Sequence, residues 1–208
     1  MPDSRMKIEK LVIATRNRSK KERFRGLFVK IVKEVLALDD FDISEKPQEA
    51  GITAEENAEI KARFYSRKLN LPVFSEDEAL YIDFLPLEKQ PGVFVRRING
   101  KDESNDDELL NYWEKITAET PAEKRTGRWH VAYSLAFPGG PIKTFALPHE
   151  ILFFSPSSKI RLPDWPMSSL EGPLEFKKPH SELTDSEREK YNQKANQLIL
   201  EKFKELMF

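Results

Sequence analysis

The chain has 208 residues, a formal net charge of -1 and no cysteine. That length buries a proper core as one domain or one bilobed unit. The missing thiols exclude disulfides, zinc-thiolate sites and thiol catalysis and fit a reducing cytosol, while the balanced charge argues against bulk nucleic-acid binding, which shows as a strongly basic face. No apolar run approaches membrane length and no signal peptide precedes Met6, where translation can equally begin, so a cytoplasmic protein with no membrane partner is expected.

In chain order, Leu11-Val12-Ile13-Ala14 reads as a short buried strand, and Thr15-Arg16-Asn17-Arg18-Ser19-Lys20 breaks it before a helix. Short polar residues at such a junction cap the helix. Phe24, Leu27, Phe28, Ile31, Val32 and Val35 follow the three-four spacing of one buried helix face. The exposed first turn carries Lys20, Lys21, Arg23 and Arg25. A helix N-terminus presents unpaired N–H groups and a positive dipole end to an anion, and Lys20 adds a mobile point charge for a phosphate. No P-loop sequence occurs. Alone, such a strand, turn and basic helix is more often scaffold than phosphate site. Its basic run, Arg16 to Arg25, suits a triphosphate better than a duplex.

Phe41 to Ile43 suggests a second strand. Beyond it, Glu49 to Arg63 reads E-A-G-I-T-A-E-E-N-A-E-I-K-A-R, an acidic turn ahead of a helix that carries Lys61 and Arg63. A short apolar run, Leu71 to Phe74, then delivers Ser75-Glu76-Asp77-Glu78 at an expected strand end, and Tyr81 to Phe84 extends that region. Two acidic clusters therefore flank one basic helix. Hard divalent cations such as magnesium take oxygen ligands, usually one or two carboxylates plus substrate phosphates, and a further carboxylate can align the attacking water. Glu49, Glu76 and Asp77 are the candidates. The competing reading makes Glu55, Glu56 and Glu59 a solvated helix face and Glu76 to Glu78 an exposed turn.

Asn105 to Ile116 places Leu109, Leu110, Trp113 and Ile116 on one helical face behind Asp and Ser caps. Arg128 to Phe137 and Ile142 to Phe154 predict a hairpin around Pro138-Gly139-Gly140-Pro141. His130 and His149 fall in these strands and His180 in a loop, so core or surface roles, or support of a site residue, suit them better than ligation. Ser155 to Phe176 is a proline- and serine-rich loop, and a last helix follows Thr184, which forms a capping box with Glu187. Tyr191, Ala195, Leu198, Ile199 and Leu206 are its expected buried face.

Taken together, these segments resemble the inosine/xanthosine triphosphate pyrophosphatase family. Thr15, Asn17 and Lys20 match its opening strand-T-G-N-x-x-K, with Arg16 where the glycine is usual. Glu49, Gly51, Thr53, Glu56, Asn57, Ala58, Lys61, Ala62 and Arg63 fit E-[TS]-G-x-[TS]-x-x-E-N-A-x-x-K-A-R without a gap. Glu76-Asp77, Leu80, Ile82 and Asp83 meet the acidic pair and S-G-L-x-V-D, and Pro91-Gly92-Val93-Phe94 with Arg97 meets P-G-[VI]-Y and its arginine.

The resemblance implies an α/β protein with a long twisted mixed sheet and helices, in two lobes around a nucleotide-binding cleft. By that alignment lobe 1 spans about 6–84 plus 177–208, lobe 2 about 85–154, and the loop at about 155–176 covers the base. It implies hydrolysis of non-canonical purine triphosphates to monophosphate and pyrophosphate. Thr15, Asn17, Lys20 and Lys61 would hold phosphates, Glu49, Glu76 and Asp77 magnesium, and Asp77 would activate water. A homodimer is implied as well.

The match weakens where the family reads the base. Its F-G-[YW]-D-P is replaced by Leu162-Pro163-Asp164-Trp165-Pro166-Met167-Ser168-Ser169-Leu170, in which Trp165 can stack on a base. The family's lysine falls on Arg188 and its S-H-R on Asn192-Gln193-Lys194, where an ammonium imitates a planar guanidinium fork poorly. These five are the base-binding candidates, with the solvated side of a helix as the competing reading of the last three. Two alternatives to the family function stay open: the same chemistry on pyrimidine, modified or canonical nucleotides, and a nucleotide-binding protein on the same fold without turnover.

Overall fold

β1 (Lys10–Ile13) and β2 (Glu34–Ala37) are parallel neighbours joined by helix α1 (Arg18–Phe28), with Lys10 opposite Glu34 and Ile13 opposite Ala37. The chain then crosses back through α2 (Ala54–Leu69) to β3 (Val73–Ile82), which is parallel to β1 on its other side. After α3 (Asp106–Ala118) come β4 (Thr126–Ala136), β5 (Ile142–Phe153), the short β6 (Glu171–Pro173) and α4 (Asp185–Leu206). This computed structural model describes residues 8–163 and 165–207; Met6 and Asp164 lie outside the described residues. Among these, six strands form one sheet in the order β2-β1-β3-β4-β5-β6, parallel at one end and antiparallel between β5 and β6. The protein is thus α/β with a mixed sheet, as the sequence predicts.

Four local expectations need correction. α1 stops at Phe28, whose carbonyl accepts from the N–H groups of Ile31 and Val32, and Val35 lies in β2 opposite Leu11 instead of on the helix. Branched residues after position 28 favour extended backbone over another helical turn. Phe41–Ile43 is therefore not the second strand: it follows a short turn at Leu38–Asp40, and Phe41 and Ile43 pack against Val12, Leu38 and Tyr65. The acidic run does not end a strand either, because β3 continues through Glu76, Asp77 and Glu78 to Ile82. On the last helix, Ala195, Ile199 and Phe203 are the buried residues, while Leu198 is exposed.

The chain contacts divide into two units. The first comprises residues up to Asp77, Ala132–Ala146 and those from Gln193 on; the second comprises Glu78–Val131 and Leu147–Asn192. The first unit packs Phe24 and Phe28 of α1 against Phe74 of β3 and Phe203 of α4, with ring centroids 4.5–5.8 Å apart for Phe28–Phe203, Phe28–Phe74 and Phe74–Phe203. Val12, Val73 and Tyr65 of α2 form a separate cluster. The second unit buries Leu80, Ile82, Leu109, Trp113, Ile151 and Phe153 together with Met167 and Leu170. Within the proline- and serine-rich segment, residues 166–173 are thus built into a core, and β6 pairs with β5.

Candidate active site

The strand order 2-1-3 makes the chain leave β1 in one direction and return to β3 on the other, so the space past the carboxyl ends of β1 and β3 is a topological switch point, where ligands bind in open α/β sheets. Pairing between the two strands ends at Ile13 opposite Phe74, and Ala14 N–H still bonds the Phe74 carbonyl at 2.8 Å. β3 runs on past the end of β1. Its next residues are Ser75, Glu76 and Asp77.

Successive strand residues point to opposite faces, and the two acids obey this. Glu76 Oε1 meets Lys20 Nζ of α1 at 2.8 Å, and Asp77 Oδ1 meets Lys61 Nζ of α2 at 2.6 Å. Phe74 and Glu76 face α1; Val73, Ser75 and Asp77 face α2, where Ser75 Oγ donates to the Ala58 carbonyl at 2.5 Å. Glu49 Oε2, from the turn before α2, lies 3.3 Å from the same Lys61 ammonium.

Local structure holds these side chains in place. Asn17 caps α1: its Oδ1 accepts from Lys20 N–H at 2.9 Å, and Thr15 Oγ1 accepts from Asn17 N–H at 3.2 Å. Thr53 caps α2, and Glu56 reaches back to Ile52 N–H at 2.7 Å. Gly51 N–H donates to Asn57 Oδ1 at 2.9 Å, and a Cβ at Gly51 would stand 2.6 Å from that oxygen and 2.7 Å from Glu56 Cβ. The glycine of the acidic turn is therefore a packing requirement that lets Glu49 enter the site. Arg16 occupies the usual glycine of the first loop without entering the site, since its guanidinium donates to the Ile43 carbonyl at 3.0 Å.

The electrostatics separate the two acids. Burial opposes the charge of Glu76, yet Lys20, then Arg23 and Lys61, hold its carboxyl below the usual range. Asp77 goes the other way: burial raises its proton affinity, Lys61 and the Asn57 amide oppose that, and Glu49 adds to it. One acid is a fixed anion and its neighbour is a carboxylate with enhanced basicity. Glu76 Oε2 is buried and, among the described residues, has no hydrogen-bond partner. Reading the sequence missed two participants: Asn57, present in the E-N-A motif without a role, and Arg23, one helical turn from Lys20 and indistinguishable by type from Lys21 and Arg25.

A family model supplies the decisive comparison, matching residues 11–147 to the Ham1 family. The chain belongs to the Ham1 family. A protein named dITP/XTP pyrophosphatase from Exiguobacterium sibiricum is 36% identical over 135 residues, 65% of this chain and 67% of the relative, and one so named from Geobacter sulfurreducens is 33% identical over 151 residues, 71% and 73%. The chain thus spans about two thirds of the length of such relatives; for one from Bacillus cereus it is 65%. A solved HAM1 protein from Coxiella burnetii has a TM-score of 0.74 at 20% identity, covering 93% of this chain and 100% of that one. A solved nucleoside-triphosphatase / dITP/XTP pyrophosphatase from Mycobacterium abscessus has a TM-score of 0.72 at 22% identity, covering 92% and 97%. These two likenesses establish the shared fold.

The Ham1 match stops before the residues assigned to the base. Trp165, 37% exposed, has its ring centroid 4.5 Å from that of buried His180, and Arg188 is close enough to depress the basicity of the same imidazole. The structure thus gathers Trp165 and Arg188 around His180. Arg188 Nη2 also donates to the Leu183 carbonyl at 3.2 Å. Gln193 and Lys194 are exposed and Asn192 is half-buried, and among the described residues none of the three makes a side-chain hydrogen bond or ion pair.

Proposed function

We propose that this chain is a magnesium-dependent nucleoside triphosphate pyrophosphatase that hydrolyses non-canonical purine nucleotides of the inosine and xanthosine type to the monophosphate and pyrophosphate. The observation that carries the reading is the arrangement at the switch point: two acids on adjacent residues of β3, each paired with a lysine from a different helix.

The donor set fits a hard cation. Glu49, Glu76 and Asp77 offer only oxygen, and the unpartnered buried Glu76 Oε2 is an acceptor awaiting a ligand. Among the described residues no group of three or more such side chains is close enough to hold a metal unaided, which suits magnesium, an ion that keeps waters and shares its shell with substrate phosphates. When bound, the ion would neutralise charge on the phosphates.

The chain's own groups do the rest. Lys20 and Lys61 exchange their carboxylate partners for phosphate oxygens, with Thr15, Asn17 and the α1 N-terminus completing the cradle. Asp77, made more basic by burial, accepts the proton of the attacking water while Asn57 keeps it oriented. Trp165 and Arg188 contact the base, and Asn192, Gln193 and Lys194 are assigned to the same role by alignment. The reading carries a cytoplasmic homodimer that uses no nucleic-acid or membrane partner; among the described residues no helix is long and apolar enough to cross a membrane.

Pyrophosphate release, with magnesium and with EDTA, across inosine, xanthosine, deoxyinosine and the standard triphosphates tests the proposal, with Asp77→Asn as control. Selective, metal-dependent release from the inosine and xanthosine nucleotides is expected. Release from other nucleotides instead would reassign the substrate, and no release from folded, nucleotide-binding protein would leave a binding function.

A further inference from the structure

Most of the basic run around the first helix is already committed. Arg16 donates to the Ile43 carbonyl, Arg18 pairs with Glu22, Lys20 with Glu76, Lys21 with Asp39 and Arg25 with Asp40. Arg23 differs. Among the described residues its one side-chain hydrogen bond joins Nε to a neutral amide oxygen, Asn196 Oδ1 of α4, at 2.9 Å. The guanidinium carbon lies 5.5 Å from the Phe24 ring centroid, a second restraint on its plane. Its two terminal amino groups have no hydrogen-bond or ion-pair partner among the described residues and are not among the buried unsatisfied atoms. They therefore face solvent.

Position gives that free fork a meaning. Arg23 is three residues from Lys20, on the same face of α1, and close enough to Glu76 to help keep its carboxyl ionised. A guanidinium anchored through Nε and open at both Nη atoms is preorganised for two parallel hydrogen bonds to a phosphate. Lys20 and Lys61 must leave carboxylates before they can serve an anion; Arg23 has no such partner to leave.

We propose that Arg23, oriented by Asn196, is a third phosphate-binding cation of this site and takes the pyrophosphate part of a triphosphate. Asn196 is then a positioning residue, through which α4 shapes phosphate binding. The inference rests on the proposed function.

The test is calorimetric titration of magnesium pyrophosphate into the full chain, followed by steady-state kinetics with inosine triphosphate. Arg23→Gln is expected to weaken pyrophosphate at least about tenfold and to raise KM more than it lowers kcat. Arg23→Lys should restore only part of that, since an ammonium gives no fork. Asn196→Ala should weaken binding several-fold with the arginine still present, and Arg25→Gln, which loses only the Asp40 pair, should bind as the parent does. If Arg23→Gln and Asn196→Ala lower thermal stability but bind pyrophosphate normally, Arg23 merely ties α1 to α4 and the proposal is overturned. If the parent protein binds neither pyrophosphate nor triphosphate, the function reading itself fails, and this inference with it.

Discussion

Glu76 and Glu171 are both buried glutamates on strands, and their surroundings are opposite. Glu76, in the first unit, has Lys20 at 2.8 Å with Arg23 and Lys61 near, and stays ionised against the cost of burial. Glu171, in the second unit, has His180 Nε2 at 3.5 Å, but burial and nearby Glu78 raise its proton affinity well above the usual range, while burial, Arg188 and His149 lower His180 to about 3. In that couple the acid is pushed toward its uncharged form and the imidazole is held neutral at pH 7. The indoles of Trp129 and Trp165 lie near the Glu171 carboxyl, yet neither of its oxygens has a partner in hydrogen-bond geometry. Maintaining a buried anion takes cations, which Lys20, Arg23 and Lys61 supply to Glu76.

Substituting each unit's acid without changing its shape should break the symmetry most sharply. Asp77→Asn removes the proton acceptor and should lower kcat by about 10²- to 10⁴-fold. Glu171→Gln replaces an acid that burial already pushes toward its uncharged form and should leave kcat within a few-fold. Equal losses in both variants, measured as pyrophosphate release, would mean that Asp77 acts only through the fold.

Glycines offer the next comparison. A Cβ at Gly172 would overlap the backbone carbonyl of Lys178, which has no flexible end to move, whereas one at Gly51 meets the Asn57 side-chain oxygen at 2.6 Å. Gly172→Ala should therefore cost about 1–3 kcal/mol in urea denaturation, with the second unit distorted. Gly51→Ala should cost less stability and more activity, because relief comes from displacing Asn57, which orients Asp77, and the turn that carries Glu49.

The same contrast explains what the sequence discloses. Asn17, Thr53 and the Glu49–Arg63 motif are legible because caps and a close-packed glycine act over a few residues. The end of α1 was not, since Ile31, Val32 and Val35 suit a helical face and a buried strand equally and only the pairing of Val35 with Leu11 decides. Arg23 could not be told from Lys21 and Arg25 by composition; rotation about the helix sends the latter two to Asp39 and Asp40 and leaves Arg23 beside Glu76. Glu171 and His180 meet across nine residues without periodicity, in a segment whose burial comes from β6 pairing with β5. Long-range pairing of that kind leaves no local signature.

A smaller effect sharpens the comparison through pH. On the role proposed for Asp77 the active-site limb is simple: its proton affinity is raised, and kcat/KM should fall as pH drops through a value above that of an ordinary aspartate. Lys61→Met should move that limb to higher pH, because the ammonium now holding the charge is gone.

In the second unit the two groups act on stability with opposite signs. His180 titrates at about 3 when folded and near 6.5 when unfolded, so the unfolded chain binds a proton that the native state refuses and stability falls as pH drops below about 6.5. Glu171 is raised, so its contribution is present at low pH and lost as pH rises above about 4.5, the ordinary value of a glutamate. Between pH 5.5 and 6.5 the slopes oppose each other. Glu171→Gln should expose the histidine alone, with stability rising by about 1 kcal/mol across that interval. His180→Phe, an aromatic that keeps the ring contacts with Trp165 and Tyr191, should expose the acid alone, with stability falling as pH rises. Parallel curves for both variants and the parent in urea denaturation would mean that neither group changes its proton affinity on folding.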